Sequence, residues 1–243
     1  MKTAMSIWQK LGEFASRVST VVRTGASSVV AAVRTVFGGD PELSRKVAFS
    51  VAMIALSAKM AKADGVVTQD EIRAFHEIFS APATELRNVA RLYELAQADT
   101  AGFEVYATQV ARLCGSSDRN CAVLEDILDG LFHIAKADGV LHEREDRFLH
   151  RIAEIFGIGE DRYRSIVARH LDLGEADPYV VLGVSRSKPF DEIRRTYRKL
   201  VAENHPDRLI GRGMPEEFIA IATRRLSAIN AAFEFIERER KAA

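Results

Sequence analysis

Apolar residues recur at steps of three and four along most of this chain, and that spacing constrains the fold more than any other feature. From residue 40 to about residue 171, and again from 178 to 236, it gathers the apolar side chains on one face of successive helices. No stretch alternates convincingly with a period of two, as a half-buried strand would. We therefore predict an all-α fold, in which a helical bundle is followed by a small helical hairpin.

Two proline-containing breaks divide the chain into three predicted parts. The first reads Gly-Gly-Asp-Pro at residues 38–41, and the second reads Gly-Glu-Ala-Asp-Pro at residues 174–178. Asp followed by Pro is typical of a helix start, since Pro is tolerated in the first turn. We therefore predict an N-terminal segment over residues 1–39, a helical domain over 40–173 and a second domain over 174–243.

The charges are distributed unevenly, although the whole chain is neutral, with 34 basic and 34 acidic residues. Residues 1–37 carry five basic residues and one acidic residue, whereas residues 38–176 carry 16 basic and 23 acidic residues. Residues 177–243 carry 13 basic and 10 acidic residues. Such asymmetry favours parts with different partners. We expect no nucleic-acid partner, and we leave the formation of a homodimer open.

The N-terminal segment has the pattern of a basic amphipathic helix over residues 6–37. Its apolar face is formed by Ile7, Leu11, Phe14, Val18, Val22, Val29, Val33 and Phe37. Three alternatives fit this pattern: a helix on a membrane surface, a helix docked on the rest of the protein, or a partly disordered segment. We expect neither a membrane-spanning helix nor a secretory signal, because the longest uncharged apolar run covers only residues 24–33.

The two cysteines, Cys114 and Cys121, are too few for a disulfide framework and lack the spacing of a zinc site. We expect both to behave as buried apolar residues in a reducing cytosol. The predicted location is therefore the cytoplasm, with contact to the cytoplasmic face of the inner membrane as an alternative.

A short motif occurs twice in the helical domain. Residues 61–67 read Ala-Lys-Ala-Asp-Gly-Val-Val, and residues 135–141 read Ala-Lys-Ala-Asp-Gly-Val-Leu, at an offset of 74 residues. Each copy fits a helix, a turn closed by glycine and a second helix. We predict an internal repeat of two such units, packed about a two-fold axis into one bundle.

The repeated turns contain carboxylates for which two alternative roles are possible. Asp64 and Glu71 in the first copy correspond to Asp138 and Glu145 in the second. Hard divalent cations prefer several oxygen ligands, so the four residues are candidate metal ligands. The competing interpretation is structural, because glutamates in a first helical turn complement the helix dipole. No other cofactor is expected.

Residues 45–156, with the twin Lys-Ala-Asp-Gly-Val motif, resemble the TerB-type helical domain, which is named for tellurite-resistance proteins. The resemblance implies an all-α fold, and in that family the acidic turns have been proposed as a metal site. The second copy departs from the first at the start of its second helix, where His142 replaces Thr68.

The C-terminal part contains three predicted helices. The first is a short helix within the motif Asp-Pro-Tyr-Val-Val-Leu-Gly-Val at residues 177–184, capped by Asp177 and stopped by Gly183. The second runs from about Pro189 to Glu203. The third begins at Pro215, so the second and third helices should form an antiparallel hairpin. Between them stand His205, Pro206 and Asp207, after which Arg208 should lead into a flexible, glycine-containing loop.

Together, the first motif, the basic second helix and the His-Pro-Asp turn resemble a J domain, the defining module of DnaJ-type co-chaperones. In that family the turn and the basic face dock on the ATPase of a DnaK-type chaperone and stimulate ATP hydrolysis. The resemblance assigns partner binding to His205, Pro206, Asp207, Arg194, Arg195, Tyr197, Arg198, Lys199 and Arg208.

The order of the two domains, and the long loop at residues 209–215, resemble the DjlA/DjiA group of DnaJ-like proteins. The sequence lacks the Gly/Phe-rich linker and the zinc module of a full DnaJ, so we expect no standard client-binding part. The alternative function is a metal- or stress-responsive TerB-like scaffold with the J domain as an accessory. An enzyme is not expected, since the sequence has no phosphate-loop, nucleophile-elbow or His-Glu-x-x-His motif.

Overall fold

The computed structural model shows a chain built of helices, with no strand among the residues it describes. Those residues are 12, 41–64, 69–78, 86–98, 102–113, 122–171, 176–211 and 219–242. The all-α prediction is therefore confirmed for this part of the chain. Of the predicted N-terminal helix only Gly12 is described, and it is helical. The rest of that helix and both cysteines lie outside the described residues.

The first domain contains seven helices in its described residues. They are α1 (Pro41–Asp64), α2 (Gln69–Ile78), α3 (Leu86–Ala98), α4 (Phe103–Leu113), α5 (Ala122–Ala135), α6 (Glu143–Ile155) and α7 (Glu160–His170). The helix after the repeated motif begins at Gln69 in the first copy and at Glu143 in the second, with the same 74-residue offset as the motif. Gly139 has a φ of 91°, as the predicted turn requires.

Helix α1 is the central helix of the first domain. The sequence predicts one apolar stripe, which includes Val51, Ile54 and Ala58, but the structure buries every residue from Phe49 to Ala61. The expectation of a single buried face was therefore wrong for this helix. A helix that is apolar on all sides is surrounded by others, and α1 contacts α3, α4, α5 and α6.

The second domain consists of α8 (Pro178–Val181), α9 (Phe190–Glu203), α10 (Pro206–Gly211) and α11 (Ile219–Ala242). Helices α9 and α11 form the predicted antiparallel hairpin, because Phe190 stacks on Phe233 at one end while Asn204 contacts Arg225 at the other. Ile193, Leu200, Ile229 and Ile236 are buried in the core between α8, α9 and α11.

Helix α11 belongs to both domains. Its first turn places Ile221 and Ala222 in the core of the first domain, whereas Ile229 and Ile236 belong to the core of the second. A hydrogen bond from Ser165 Oγ of α7 to the carbonyl oxygen of Val181, 2.9 Å long, makes a further link. The second domain is thus packed against the first rather than held by a linker alone.

No helix in the described part of the chain is long and apolar enough to cross a membrane.

Candidate partner-binding site

The His-Pro-Asp turn lies where the chain passes from α9 to α10. Pro206 disfavours a helical conformation at His205, so α9 ends at Glu203, and the same Pro begins α10. The amide of Asp207 donates a hydrogen bond to Nδ1 of His205 at 3.3 Å, and the amide of Arg208 donates one to the carbonyl oxygen of His205 at 3.0 Å. These bonds give the turn a defined backbone.

The prediction of a flexible loop after Arg208 was wrong for the first residues of that loop. The structure continues the chain as α10 as far as Gly211, because Pro is favourable at the first position of a helix. The negative charge of Asp207 in the first turn also complements the helix dipole. The rest of the predicted loop, and Pro215 at the predicted start of the third helix, lie outside the described residues.

The side chains of the turn face solvent. The side chain of His205 is 52% exposed and that of Asp207 is 88% exposed. The two side chains are close, since Oδ2 of Asp207 lies 3.7 Å from Nδ1 of His205. Arg208 is also exposed, and Pro206 is half-buried. The turn therefore presents a carboxylate and an imidazole that another protein could contact.

The basic residues of α9 differ in how strongly they are held. Arg194 lies over the ring of Phe190, with 4.8 Å from its guanidinium carbon to the ring centre, and 3.8 Å from a carboxylate oxygen of Asp191. Lys199 lies 3.8 Å from a carboxylate oxygen of Glu203 on the same helix. These contacts hold two of the predicted partner-binding residues loosely against their own helix.

Arg195 and Arg198 are exposed on α9, and neither makes an ion pair with another described residue. A cluster of solvated cations attracts an acidic surface from a distance and speeds its approach. The basic face of α9 therefore leads, along one helix, to the His-Pro-Asp turn at its C-terminal end. The structure places Arg195 and Arg198 on the exposed surface of the helix that ends just before the turn.

Tyr197 occupies a different position from the other predicted residues. Its hydroxyl donates a hydrogen bond to Oδ1 of Asn230 at 3.1 Å, and its ring stacks on Phe233 with the ring centres 4.0 Å apart. Both partners are on α11, so Tyr197 joins the two helices of the hairpin. Its role in partner binding stays a prediction.

The metal-ligand candidates of the second repeat make local contacts. Oδ1 of Asp138 accepts a hydrogen bond from the amide of Val140 at 3.0 Å, and Oε2 of the buried Glu145 accepts one from the amide of His142 at 3.0 Å. The side chains of Asp64 and Glu71 lie outside the described residues. Among the side chains that the structure describes, no group of three or more His, Cys, Asp and Glu residues is arranged around a metal position. The divalent-cation site stays a prediction.

The hydrogen bond from the amide of His142 to Glu145 caps the start of α6, and it can be tested through stability. Replacing Glu145→Ala should lower the free energy of unfolding by about 1 kcal/mol, because the amide of His142 loses its acceptor. Urea denaturation followed by circular dichroism measures the change. Glu143→Ala is the matched control, since Glu143 lies in the same helical turn but is exposed. Equal destabilisation by the two variants would show that the cap contributes nothing.

The structure also pairs residues that no pattern in the sequence links. Arg225 of α11 is buried against Asp126 and Asp129 of α5. The sequence contains one sign that Arg225 is buried, because Arg225 lies three residues after Ala222 and four before Ile229, on the apolar stripe of its helix. A charged residue on a buried stripe requires a partner.

Comparison with known families agrees with this arrangement of domains. A family model described as tellurite resistance protein TerB matches residues 50–168, and a model of the DnaJ domain matches residues 177–243.

Curated relatives cover most of the chain. The Co-chaperone protein DjlA of Photobacterium profundum is 29% identical over 227 residues, which cover 81% of this chain and 79% of the relative. The protein of the same name from Vibrio cholerae is 28% identical over 239 residues, which cover 84% of this chain and 82% of the relative. That of Photorhabdus laumondii is 29% identical, with 81% of each chain covered. No solved structure matches the chain.

Proposed function

With a TerB domain followed by a DnaJ domain, this chain belongs with the DjlA-like co-chaperones, and we propose that it stimulates the ATPase of a DnaK-type chaperone. The observation that carries the proposal is the exposed His-Pro-Asp turn at the end of a helix whose basic face is also exposed. These two features are the ones that dock on the ATPase in the DnaJ family.

The proposed mechanism divides the work between the basic face and the turn. Arg195 and Arg198 attract an acidic surface on the chaperone and raise the rate of encounter. The exposed carboxylate of Asp207 then accepts hydrogen bonds from a basic group of the partner. Because Pro206 restricts the backbone of the turn, little conformational entropy is lost on binding. ATP is hydrolysed by the partner, and this chain acts as its activator.

Capture of the partner tests the proposal. The full chain, immobilised and incubated with an extract of its own cells in the presence of ATP, should retain a DnaK-type chaperone identified by mass spectrometry. The variant Asp207→Asn should retain much less of it, because the carboxylate proposed to contact the partner is lost. If wild type and variant retain equal amounts, the turn is not the binding element.

We further propose that the protein works in the cytoplasm, with its N-terminal segment on the inner face of the membrane. The support is in the sequence, where residues 1–37 carry five basic residues and one acidic residue beside an apolar stripe. Such segments bind anionic lipid through both charge and apolar burial.

Flotation with liposomes tests this location. The full chain should float with vesicles that contain anionic lipid, and much less with neutral vesicles. Removing residues 1–37 should abolish flotation. Equal flotation with and without this segment would rule out its role as the membrane contact.

A further inference from the structure

Arg225 links the two domains through a buried ion pair. Its Nη1 lies 2.7 Å from Oδ1 of Asp126, and its Nη2 lies 2.9 Å from Oδ2 of Asp129. The arginine is only 7% exposed, and each aspartate is 2% exposed. A buried ion pair tolerates little displacement, because either charge becomes costly once its partner moves away. The position of α11 relative to α5 is therefore strongly restrained at this point.

Residues of the first domain also hold Asp129 in place. Nε2 of His170 lies 3.0 Å from Oδ1 of Asp129, and Nζ of Lys136 donates a hydrogen bond to the carbonyl oxygen of His170 at 2.6 Å. Burial alone would raise the pKa of Asp129, but the charges of Arg225 and His170 outweigh it and hold the pKa well below its ordinary value. The carboxylate thus stays ionised, and its pairing would be lost only when the pH falls through that lowered pKa.

The same guanidinium also reaches the start of the His-Pro-Asp turn. Nη1 of Arg225 donates a hydrogen bond to Oδ1 of Asn204 at 2.9 Å, while Nδ2 of Asn204 donates one to the carbonyl oxygen of Leu200 at 2.7 Å. Asn204 is 4% exposed and immediately precedes His205. One side chain from α11 therefore contacts both the aspartates of the first domain and the residue from which the turn begins.

From these contacts we infer that Arg225 is a positioning residue, through which the TerB domain sets the geometry of the turn formed by His205, Pro206 and Asp207. The inference rests on the proposed function, because that turn is the surface proposed to dock on a DnaK-type chaperone. A turn held in one conformation before binding loses less entropy on binding. The TerB domain would thereby raise the affinity for the chaperone without touching it.

Two variants in the full chain cut this connection at different points. Asp126→Ala removes one carboxylate but leaves Asp129 in contact with Arg225. Asn204→Ala removes the contact with the turn and leaves the ion pair intact. Arg224→Gln is the matched control, because Arg224 lies on the same helix and contacts His133 of α5. Arg225 itself is kept, since its loss would leave two buried carboxylates without their counterion.

The first measurement needs no partner protein. The ¹H–¹³C resonances of the His205 imidazole are recorded by nuclear magnetic resonance and assigned with a His205→Gln variant. We expect Asp126→Ala and Asn204→Ala to shift these resonances, and Arg224→Gln to leave them in place. A folded Asp126→Ala protein with unchanged His205 resonances would overturn the inference, whatever the chain does to an ATPase.

The second measurement separates positioning from a merely structural role. Asp126→Ala and Asn204→Ala should each raise the concentration that gives half-maximal ATPase stimulation by about threefold to tenfold, the cost of ordering one or two side chains on binding. The maximal stimulation should be unchanged, and the double variant should be no weaker than the worse single one, since both cut one connection. Additive effects would overturn the inference, whereas a wild-type chain that stimulates no DnaK-type ATPase would overturn the proposed function instead.

Discussion

Replacing His205→Gln should abolish stimulation of the partner ATPase while the helical circular-dichroism spectrum stays unchanged. His205 is exposed, so its loss leaves no cavity in a core. Its Nδ1 accepts the hydrogen bond from the amide of Asp207 and lies near the carboxylate of the same residue. The loss of His205 therefore changes the geometry of the turn. Steady-state phosphate release by a cognate DnaK-type chaperone, at a series of variant concentrations, measures the effect.

A histidine elsewhere on the surface is the control for this substitution. His142 is also exposed, but it precedes α6 in the first domain. We expect His142→Gln to stimulate the ATPase as well as the wild type does. The account of the turn would be contradicted if His205→Gln retained full stimulation, or if both variants lost it equally.

Reversing two charges on α9 should weaken the interaction strongly without preventing it. The double variant Arg195→Glu/Arg198→Glu places two acids where the proposed partner surface is acidic, and like charges across an interface cost several kcal/mol. We expect the concentration for half-maximal stimulation to rise by about tenfold to a hundredfold, or about 1.4 to 2.8 kcal/mol. Neither arginine makes an ion pair with another described residue, so stability should change little.

The ionic strength of the assay distinguishes a local charge effect from a change in net charge. Stimulation by the wild type should weaken as salt is added, whereas the double variant should lose most of this dependence. Arg147→Glu/Arg151→Glu on α6 changes the net charge by the same amount on the other domain. If that control weakened stimulation equally, the basic face of α9 would have no special role.

Local signals in the sequence predict most of the helices and the turn. The spacing of apolar residues places α9 between Pro189 and Glu203, within one residue of the structure. Pro206 after His205 predicts the end of that helix for a steric reason that needs no knowledge of the rest of the fold. The capping carboxylate of Asp177 and the positive φ of Gly183 likewise bound α8 as predicted.

Features that depend on distant residues were not predictable in the same way. The burial of α1 on all sides arises because four other helices surround it, and no pattern within its own residues specifies that number. The pairing of Arg225 with Asp126 and Asp129 joins residues about a hundred positions apart. The sequence shows that each of the three is a charged residue near an apolar stripe. It does not show which of these residues contact one another.

Turnover of ATP by a cognate DnaK-type chaperone decides whether this chain is an activator of that ATPase. Single-turnover hydrolysis is followed with the chaperone alone and with increasing amounts of the full chain. We expect the hydrolysis rate to rise with the concentration of the chain and to saturate, with no ATP consumed by the chain on its own. A rate that stays at the level of the unassisted chaperone, for each DnaK-type partner from the same cell, would contradict it.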